Sequence, residues 1–501
     1  MHVKATLHRD FTIANIDDRL YSAFIEHMGR AIYTGIYEPG HPSADARGFR
    51  QDVLELVRDL KIPAIRYPGG NFVSAYDWKD GIGPKEDRPV RLDLAWRSKE
   101  TNQVGINEFA WWSEQAGLEM ILAVNLGSGN LQDAREFAEY VNHTSGTYWS
   151  DLRRSHGVED PYNVKMWCLG NEMDGPWQIG HKDAREYGRL ADETSKALKG
   201  LDPSIETIVC GSSSDEMPTY PEWEREVLDA CYENVDYISL HKYFGNSSNN
   251  SLNFFAKTEA TGRYIQAVSS IIDFTKAKKR ARNDVYICFD EWNVWYHRRS
   301  EDDAKIRQWD WPEAPELLEE TYNFEDALFV GCLLNEFIRR SDRVKIACIA
   351  QLVNVIAPIR ADKGGPAWRQ TIYWPYQFAS LYGRGQALQV VTSGPTYDCE
   401  VADDVPYLDI AATRDNDTIT IFAVNRHPTE TMELDVALTG YAVDRILLHQ
   451  CLEGHDLKAT NSGATPDNVS PSAGKHLGIE DDHLKGQLHP LSYHVIRMAV
   501  R

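Results

Sequence analysis

Eight short apolar runs recur between residues 21 and 354: YSAFIEHMG, IPAIRYPGG, EMILAVNLG, VKMWCLGNE, TIVCGSSS, VDYISLHKY, VYICFDEWN and VKIACIAQLVN. They are near-continuous in apolar character rather than alternating, the pattern of parallel strands buried on both faces. Helical stretches lie between several of them: SADARGFRQDVLELVRDLK before the second, INEFAWWSEQAG before the third and DAREYGRLADETSKALKG before the fifth. Strands alternating with helices in this way predict an α/β fold, a (β/α)8 TIM barrel. From about residue 385 the texture changes. LQVVTSG, PYLDIAATRD, TITIFAVNRH, MELDVALTG, RILLHQCLEG and SYHVIRMAV are short strand-like runs, several with period-two alternation, and turn residues such as Asp415-Asn416-Asp417 separate them. They predict a C-terminal antiparallel β-sandwich, jelly-roll-like, with a long loop over 458–483. The alternating HVKATLH at the start is expected to add a strand to it. The expected division is a catalytic barrel over 16–384 and a β-sandwich domain from 1–15 plus 385–501.

A barrel of this kind collects its chemistry at the C-terminal edge of its strands. The polar residues of these runs lie there: Glu26, Arg66, Asn125, Asn171 with Glu172, His241, Glu291 and Gln351. Two edges carry carboxylates in an aromatic setting. In WCLGNEMDGPWQIGH, residues 167–181, Gly170 lets the backbone turn, and Asn171 and Glu172 then stand at the barrel mouth. In VYICFDEWNVWYHRR, residues 285–299, the strand ends in Asp290 and Glu291. Neighbouring side chains on a strand point to opposite faces, so only one of these two is expected to face the cavity. Trp292, Trp295 and Tyr296 follow and favour Glu291.

Either motif alone is more often a helix cap or a solvated rim. Together they end the fourth and seventh runs, which face each other across an eight-stranded barrel. Two carboxylates so placed can flank one glycosidic bond. A separation of about 5–5.5 Å gives retention and a wider one inversion, a choice the sequence leaves open. Trp96, Trp177, Trp295 and Tyr296 suit stacking on sugar rings. The charged stretch 298–316 is expected to be a loop shaping the leaving-group side. His241 reads more readily as a satisfied core histidine.

The formal net charge is −22. A chain this acidic is repelled by phosphate backbones and anionic lipid, so nucleic acid and membrane are not expected partners. No apolar run approaches the ~18–20 residues of a membrane span, and the N-terminus lacks the apolar core of a secretory signal. The eight cysteines are scattered without a CxxC pair, several inside strand-like runs such as YICFDE and KIACIA. Buried free thiols are expected, not zinc or disulfide frameworks. These features point to the cytoplasm, with no metal and no cofactor.

NEMDGPW and FDEWNVWY, with IEHMGRAIYTGIYEP (residues 25–39) and IRYPGGNFVSAYDWKDGIGP (residues 65–84), resemble the intracellular α-L-arabinofuranosidases of glycoside hydrolase family 51. The resemblance covers essentially the whole chain. It implies a retaining, exo-acting enzyme that releases terminal α-L-arabinofuranosyl units from arabinose-containing oligosaccharides by double displacement. Glu172 would be the general acid/base and Glu291 the nucleophile. Glu26, Asn71 and Gln351 would bind furanose hydroxyls, Asn171 the 2-hydroxyl, and Trp96 and Trp295 would wall the site. Arg66 would sit near the nucleophile and Tyr243 would hydrogen-bond it. The resemblance also implies a homo-oligomer, a hexamer.

Other readings remain. A β-xylosidase or endoglucanase could use the same barrel and the same carboxylates. A non-catalytic carbohydrate-binding protein would lack one carboxylate, and both are present. A metal-dependent sugar isomerase would need His, Asp and Glu clustered at several strand ends. Here those ends carry mainly Asn, Arg and Gln.

Overall fold

In the computed structural model, which describes residues 1–501, the eight runs close into a parallel barrel. Its strands are β1 (Ser22–Phe24), β2 (Ala64–Tyr67), β3 (Glu119–Val124), β4 (Met166–Leu169), β5 (Glu206–Cys210), β6 (Tyr237–Phe244), β7 (Tyr286–Val294) and β8 (Val344–Ala350). Each pairs in parallel with the next, and β8 closes on β1 through Cys348 opposite Ser22 and Ile349 opposite Ala23. Inward side chains fill the barrel and outward ones meet the helices. Both sets join one continuous core, which is why the runs carry no polar alternation.

The helices follow from amphipathic spacing and end signals. Gln51–Leu60 buries Val53, Leu54, Leu56, Val57 and Leu60 on one face. Ile106–Ala116 stops at Gly117, whose φ of 74° is the left-handed conformation that glycine adopts at least cost. Helix Phe324–Arg339 begins with a reciprocal cap, in which Asp326 N donates to Asn323 and Asn323 N donates to Asp326. Almost all of this helix is buried, because it lies between the barrel and the C-terminal strands.

Those strands form one continuous ten-stranded sheet, with the N-terminal strand His2–Asn15 inside it. Pairing is antiparallel as expected, except that His2–His8 runs parallel to Glu433–Thr439. Alternation sorts the side chains between two cores. Ile410, Ala412, Ile419, Ile421 and Ala423 enter a core belonging to the sheet alone. Ala411, Phe422 and Val424 point the other way and join the barrel core. The region expected as a long loop over 458–483 contains two short strands, Ser472–Ala473 and Leu477–Glu480. All eight cysteines are free, and all but Cys399 are buried.

A buried ion cluster fastens sheet to barrel. Asp409 accepts from Asn335 Nδ2 at 2.7 Å and from Arg339 at 3.2 Å, and Arg426 Nη1 lies 3.6 Å away. Burial pushes the Asp409 carboxyl up, but the two guanidiniums outweigh it and hold the group below the usual carboxylate range. Its contribution to stability is therefore complete above the ordinary carboxylate pKa and is lost as pH falls through the lowered folded value. Asp409→Ala removes the anion the two guanidiniums share, leaving Arg339 with Glu336 and Arg426 with the more distant Glu259, and should cost about 3 kcal/mol. Thermal unfolding followed by circular dichroism checks this, and an unchanged midpoint would refute the fastening role.

Candidate active site

The fourth strand stops at Leu169, and Gly170 turns the chain at φ 93°. A Cβ there would lie 3.1 Å from Met173 Cγ, as well as meeting a φ that side chains resist. Glu172 itself takes φ 44°, an uncommon conformation for a residue with a side chain. On β7 a bulge changes the expected geometry. Between the pairs Cys288–Ser239 and Glu291–His241, two residues of β7 oppose one of β6. The extra residue breaks the strict alternation, so Asp290 and Glu291 both face the barrel interior. The expectation that only one of them could do so is corrected.

Both carboxylates meet Arg66 of β2. Arg66 Nη1 donates to Glu291 Oε1 at 2.7 Å, and its Nε lies 3.2 Å from Asp290 Oδ2. Nη2 donates to Asn171 Oδ1 at 2.7 Å. Tyr243 OH donates to the other Glu291 oxygen at 2.8 Å. His241 bridges the two sides of the mouth. Its Nδ1 is 3.0 Å from Glu172 Oε1 and 3.6 Å from Glu291 Oε2, and its Nε2 is 3.1 Å from Asp290 Oδ1. Trp177 Nε1 donates to Glu172 Oε2 at 2.7 Å. Carboxylate oxygens of Glu172 and Glu291 lie within 4.8 Å of each other.

The charges balance locally. Burial disfavours an imidazolium at His241, but Glu291, Asp290 and Glu172 outweigh it and hold the group well above the usual histidine range. Arg66 behaves likewise, against burial, through Asp290 and Glu291. Asp290 is held below the carboxylate range by Arg66 and His241 despite burial. Glu26 goes the other way. Burial first, then the charge of Glu291, push it up to about 8.

Above this cluster opens a cleft of about 520 Å³, lined by Glu26, Asn71, Trp96, Glu172, Tyr243, Glu291, Trp295 and Gln351 among others. Eight of the ten expected site residues thus share one surface. The other two, Arg66 and Asn171, are buried behind it. Asn171 gives its oxygen to Arg66 and turns its amide nitrogen toward Asn71, at 3.3 Å. Glu26 accepts from Phe72 N at 2.8 Å and Trp96 Nε1 at 3.0 Å, and Gln351 Nε2 lies 3.4 Å from its second oxygen. Trp177 also lines the cleft, whereas Tyr296 does not and packs toward Gly245 and Phe254. Of the stretch 298–316, Arg299 reaches the cleft, its guanidinium 4.1 Å from the Trp295 ring. The remainder includes the helix Arg299–Ile306 and contacts at Arg97 and Lys99.

His241 was missed as a functional residue in the sequence. A signal was present, since it lies two residues before Tyr243 at the edge of its run. The cation cluster also involves no metal-type donor set beyond Glu172, His241 and Glu291, whose donors are already matched to one another.

Gly70 shows how tightly Glu26 is held, because a Cβ there would fall 2.4 Å from Glu26 Oε2. Gly70→Ala should displace that carboxylate from Phe72 N and lower kcat/KM on a glycoside by about 10²-fold, the usual cost of a misplacement near 1 Å. A crystal structure and steady-state kinetics check both, and unchanged kinetics would refute the positioning of Glu26.

The chain matches the family described as the α-L-arabinofuranosidase C-terminal domain over residues 290–492, and that described as the α-L-arabinofuranosidase 1 domain over 56–261. It is 52% identical to an intracellular exo-α-(1→5)-L-arabinofuranosidase of Halalkalibacterium halodurans, covering 98% of each chain. It is 45% identical to an exo-α-(1→6)-L-arabinofuranosidase of Bifidobacterium longum, covering 90% of this chain and 88% of that one. A solved family 51 α-L-arabinofuranosidase from Bifidobacterium longum superimposes with a TM-score of 0.94 at 41% identity, covering 99% of each chain.

Proposed function

Since this chain belongs to family 51 of the glycoside hydrolases and is a retaining exo-α-L-arabinofuranosidase, we propose that Glu291 is its nucleophile and Glu172 its general acid/base. The observation that carries the assignment is the approach of the two carboxylates to within 4.8 Å across the barrel mouth. So close an approach agrees with the shorter carboxyl separation of a double displacement, about 5–5.5 Å, rather than the wider one of an inverting pair.

Glu172 gives its proton to the glycosidic oxygen as that bond breaks, and Glu291 bonds to the anomeric carbon. In the second step Glu172 takes a proton from water, the water oxygen attacks the anomeric carbon, and Glu291 leaves as carboxylate. Arg66 and Tyr243 each hold one oxygen of Glu291, which orients it and offsets its burial. His241 holds Glu172 at 3.0 Å and links it to Asp290, so the acid/base rests on a fixed hydrogen-bonded chain. Glu26, with Asn71 and Gln351, supplies hydroxyl contacts for the furanose, and Trp96 and Trp295 wall it. Asn171 acts from behind, steadying Arg66 and Asn71.

We further propose that the substrates are short arabinose-containing oligosaccharides of arabinan degradation, handled in the cytoplasm by a homo-hexamer. Relatives named as intracellular support the location, and no helix is long and apolar enough to cross a membrane. Relatives named for both (1→5) and (1→6) linkages leave linkage preference to the outer cleft, where Trp177, Ser213, Ser214, Met217 and Arg299 lie. Light scattering tests the assembly. The division into a barrel over 16–384 and a sheet unit from 1–15 plus 385–501 is proposed on the same footing, and limited proteolysis tests it.

Glu291→Ala should lower kcat/KM on every glycoside by on the order of 10⁴-fold or more. Glu172→Ala should cost about 10²–10⁴-fold on natural linkages and far less on 4-nitrophenyl α-L-arabinofuranoside, whose leaving group needs little protonation. Equal losses on both substrates would remove Glu172 from the acid role. Proton NMR of the first-formed anomer should show retention, and an inverted first product would contradict a covalent intermediate.

A further inference from the structure

Far from the cleft, the all-β part gathers histidine, cysteine and glutamate. His449 and Cys451 on strand Val443–Leu452, and Glu453 just beyond it, alternate along the chain and so share a side. Cys451 stands opposite His494 on strand Ser492–Val500. His476 lies between the short strands Ser472–Ala473 and Leu477–Glu480, and His489 in the turn before Ser492. Donor atoms of Glu453, His476 and His489 lie within 4.8 Å of one another, and so do those of Cys451, Glu453 and His494.

Glu453 Oε2 is the shared centre. It lies 3.2 Å from His489 Nδ1 and 3.8 Å from His494 Nε2. It is buried, yet no donor is aligned to hydrogen-bond it. A buried carboxylate oxygen without a partner is costly and calls for one. Ligands about 2.0–2.2 Å from a tetrahedral zinc ion stand roughly 3.3–3.6 Å apart, close to the 3.2 Å between Glu453 Oε2 and His489 Nδ1. Gly474 makes room for His449, since a Cβ there would fall 2.2 Å from its ring, and His449 Nε2 is hydrogen-bonded to His494 Nδ1 at 3.1 Å.

We propose that Glu453, His476 and His489 bind one divalent cation of the zinc class, with His494 and Cys451 on the inner side of the shared glutamate. A carboxylate with imidazoles suits zinc and its neighbours, whereas calcium and magnesium require oxygen donors throughout. The site closes a long excursion of the chain. Between Glu453 and His476 the backbone leaves the sheet and docks on the barrel, where Phe324 N donates to Ala459 O, Glu325 N to Leu457 O and Trp374 Nε1 to Val469 O. The ion ties the start of that excursion to its end. Its effect is on stability, through preferential binding to the folded chain.

Tag-free protein stripped with EDTA, incubated with zinc chloride and passed over gel filtration should retain one zinc per chain by mass spectrometry and melt at a higher temperature than the stripped form. His476→Gln and His489→Gln, both at accessible positions, should each weaken zinc binding by about tenfold or more and abolish the gain in Tm. Neither should change the Tm in EDTA or the arabinofuranosidase kcat/KM, which separates this site from the catalytic one. No retained zinc at micromolar free metal, or equal retention by the variants, would overturn the proposal.

Discussion

The arrangement of the barrel mouth depends on one buried guanidinium. Arg66 is 1% exposed, and its positive charge would cost several kcal/mol there without anions. The partners come from across the barrel: Asp290 and Glu291 on β7, and Asn171 at the end of β4. Below it the Phe24 ring lies 4.6 Å from the guanidinium carbon and offers its electron-rich face. Satisfying this one cation sets where Glu291 stands, how its carboxylate is turned, and where Asn171, the residue preceding Glu172, lies.

His241 extends the same logic to the second carboxylate. Surrounded by Glu172, Asp290 and Glu291, its imidazolium is favoured despite complete burial. Arg66 and His241 then lie among Glu172, Asp290 and Glu291 at the floor of the cleft, and each oxygen of Glu172 and Glu291 has a hydrogen-bond partner. The bulge on β7 makes this possible. A regular strand would carry Asp290 outward among the helices, and both cations would lose an anion. Glycines do the remaining positioning. Gly70 leaves space for Glu26, and Gly170 makes the turn that brings Glu172 over the mouth.

The ten-stranded sheet is bound into this structure by shared apolar surface. Alternate side chains of its central strands serve two cores, and helix Phe324–Arg339 is covered on both sides. The Asp409 cluster adds direction to that contact, because its guanidiniums come from the helix and from the sheet. The chain then crosses back, through Leu457, Ala459 and Val469, to the same helix and its neighbour. The barrel and the sheet are thus tied at several points distant in sequence.

The sequence by itself determined the barrel, because eight doubly buried strands leave continuous apolar runs that no other period imitates. It also made the meeting of Glu172 and Glu291 at one cleft legible, because a parallel barrel gathers the ends of its strands at one mouth. Alternation was legible in the C-terminal strands, and with it their antiparallel pairing. Tertiary structure alone decided what depends on contacts between distant segments. The bulge that turns Asp290 inward is a register shift between strands, and the local pattern FDEWN cannot show it. His241 reads as an ordinary core residue until Glu172 and Asp290, many residues away in either direction, arrive at its two nitrogens. Arg66 and Asn171 proved to lie behind the cleft, where Arg66 donates to both Asn171 and Glu291. The histidines around Glu453 come from a strand, a connection and a turn, so only the fold brings them to one point.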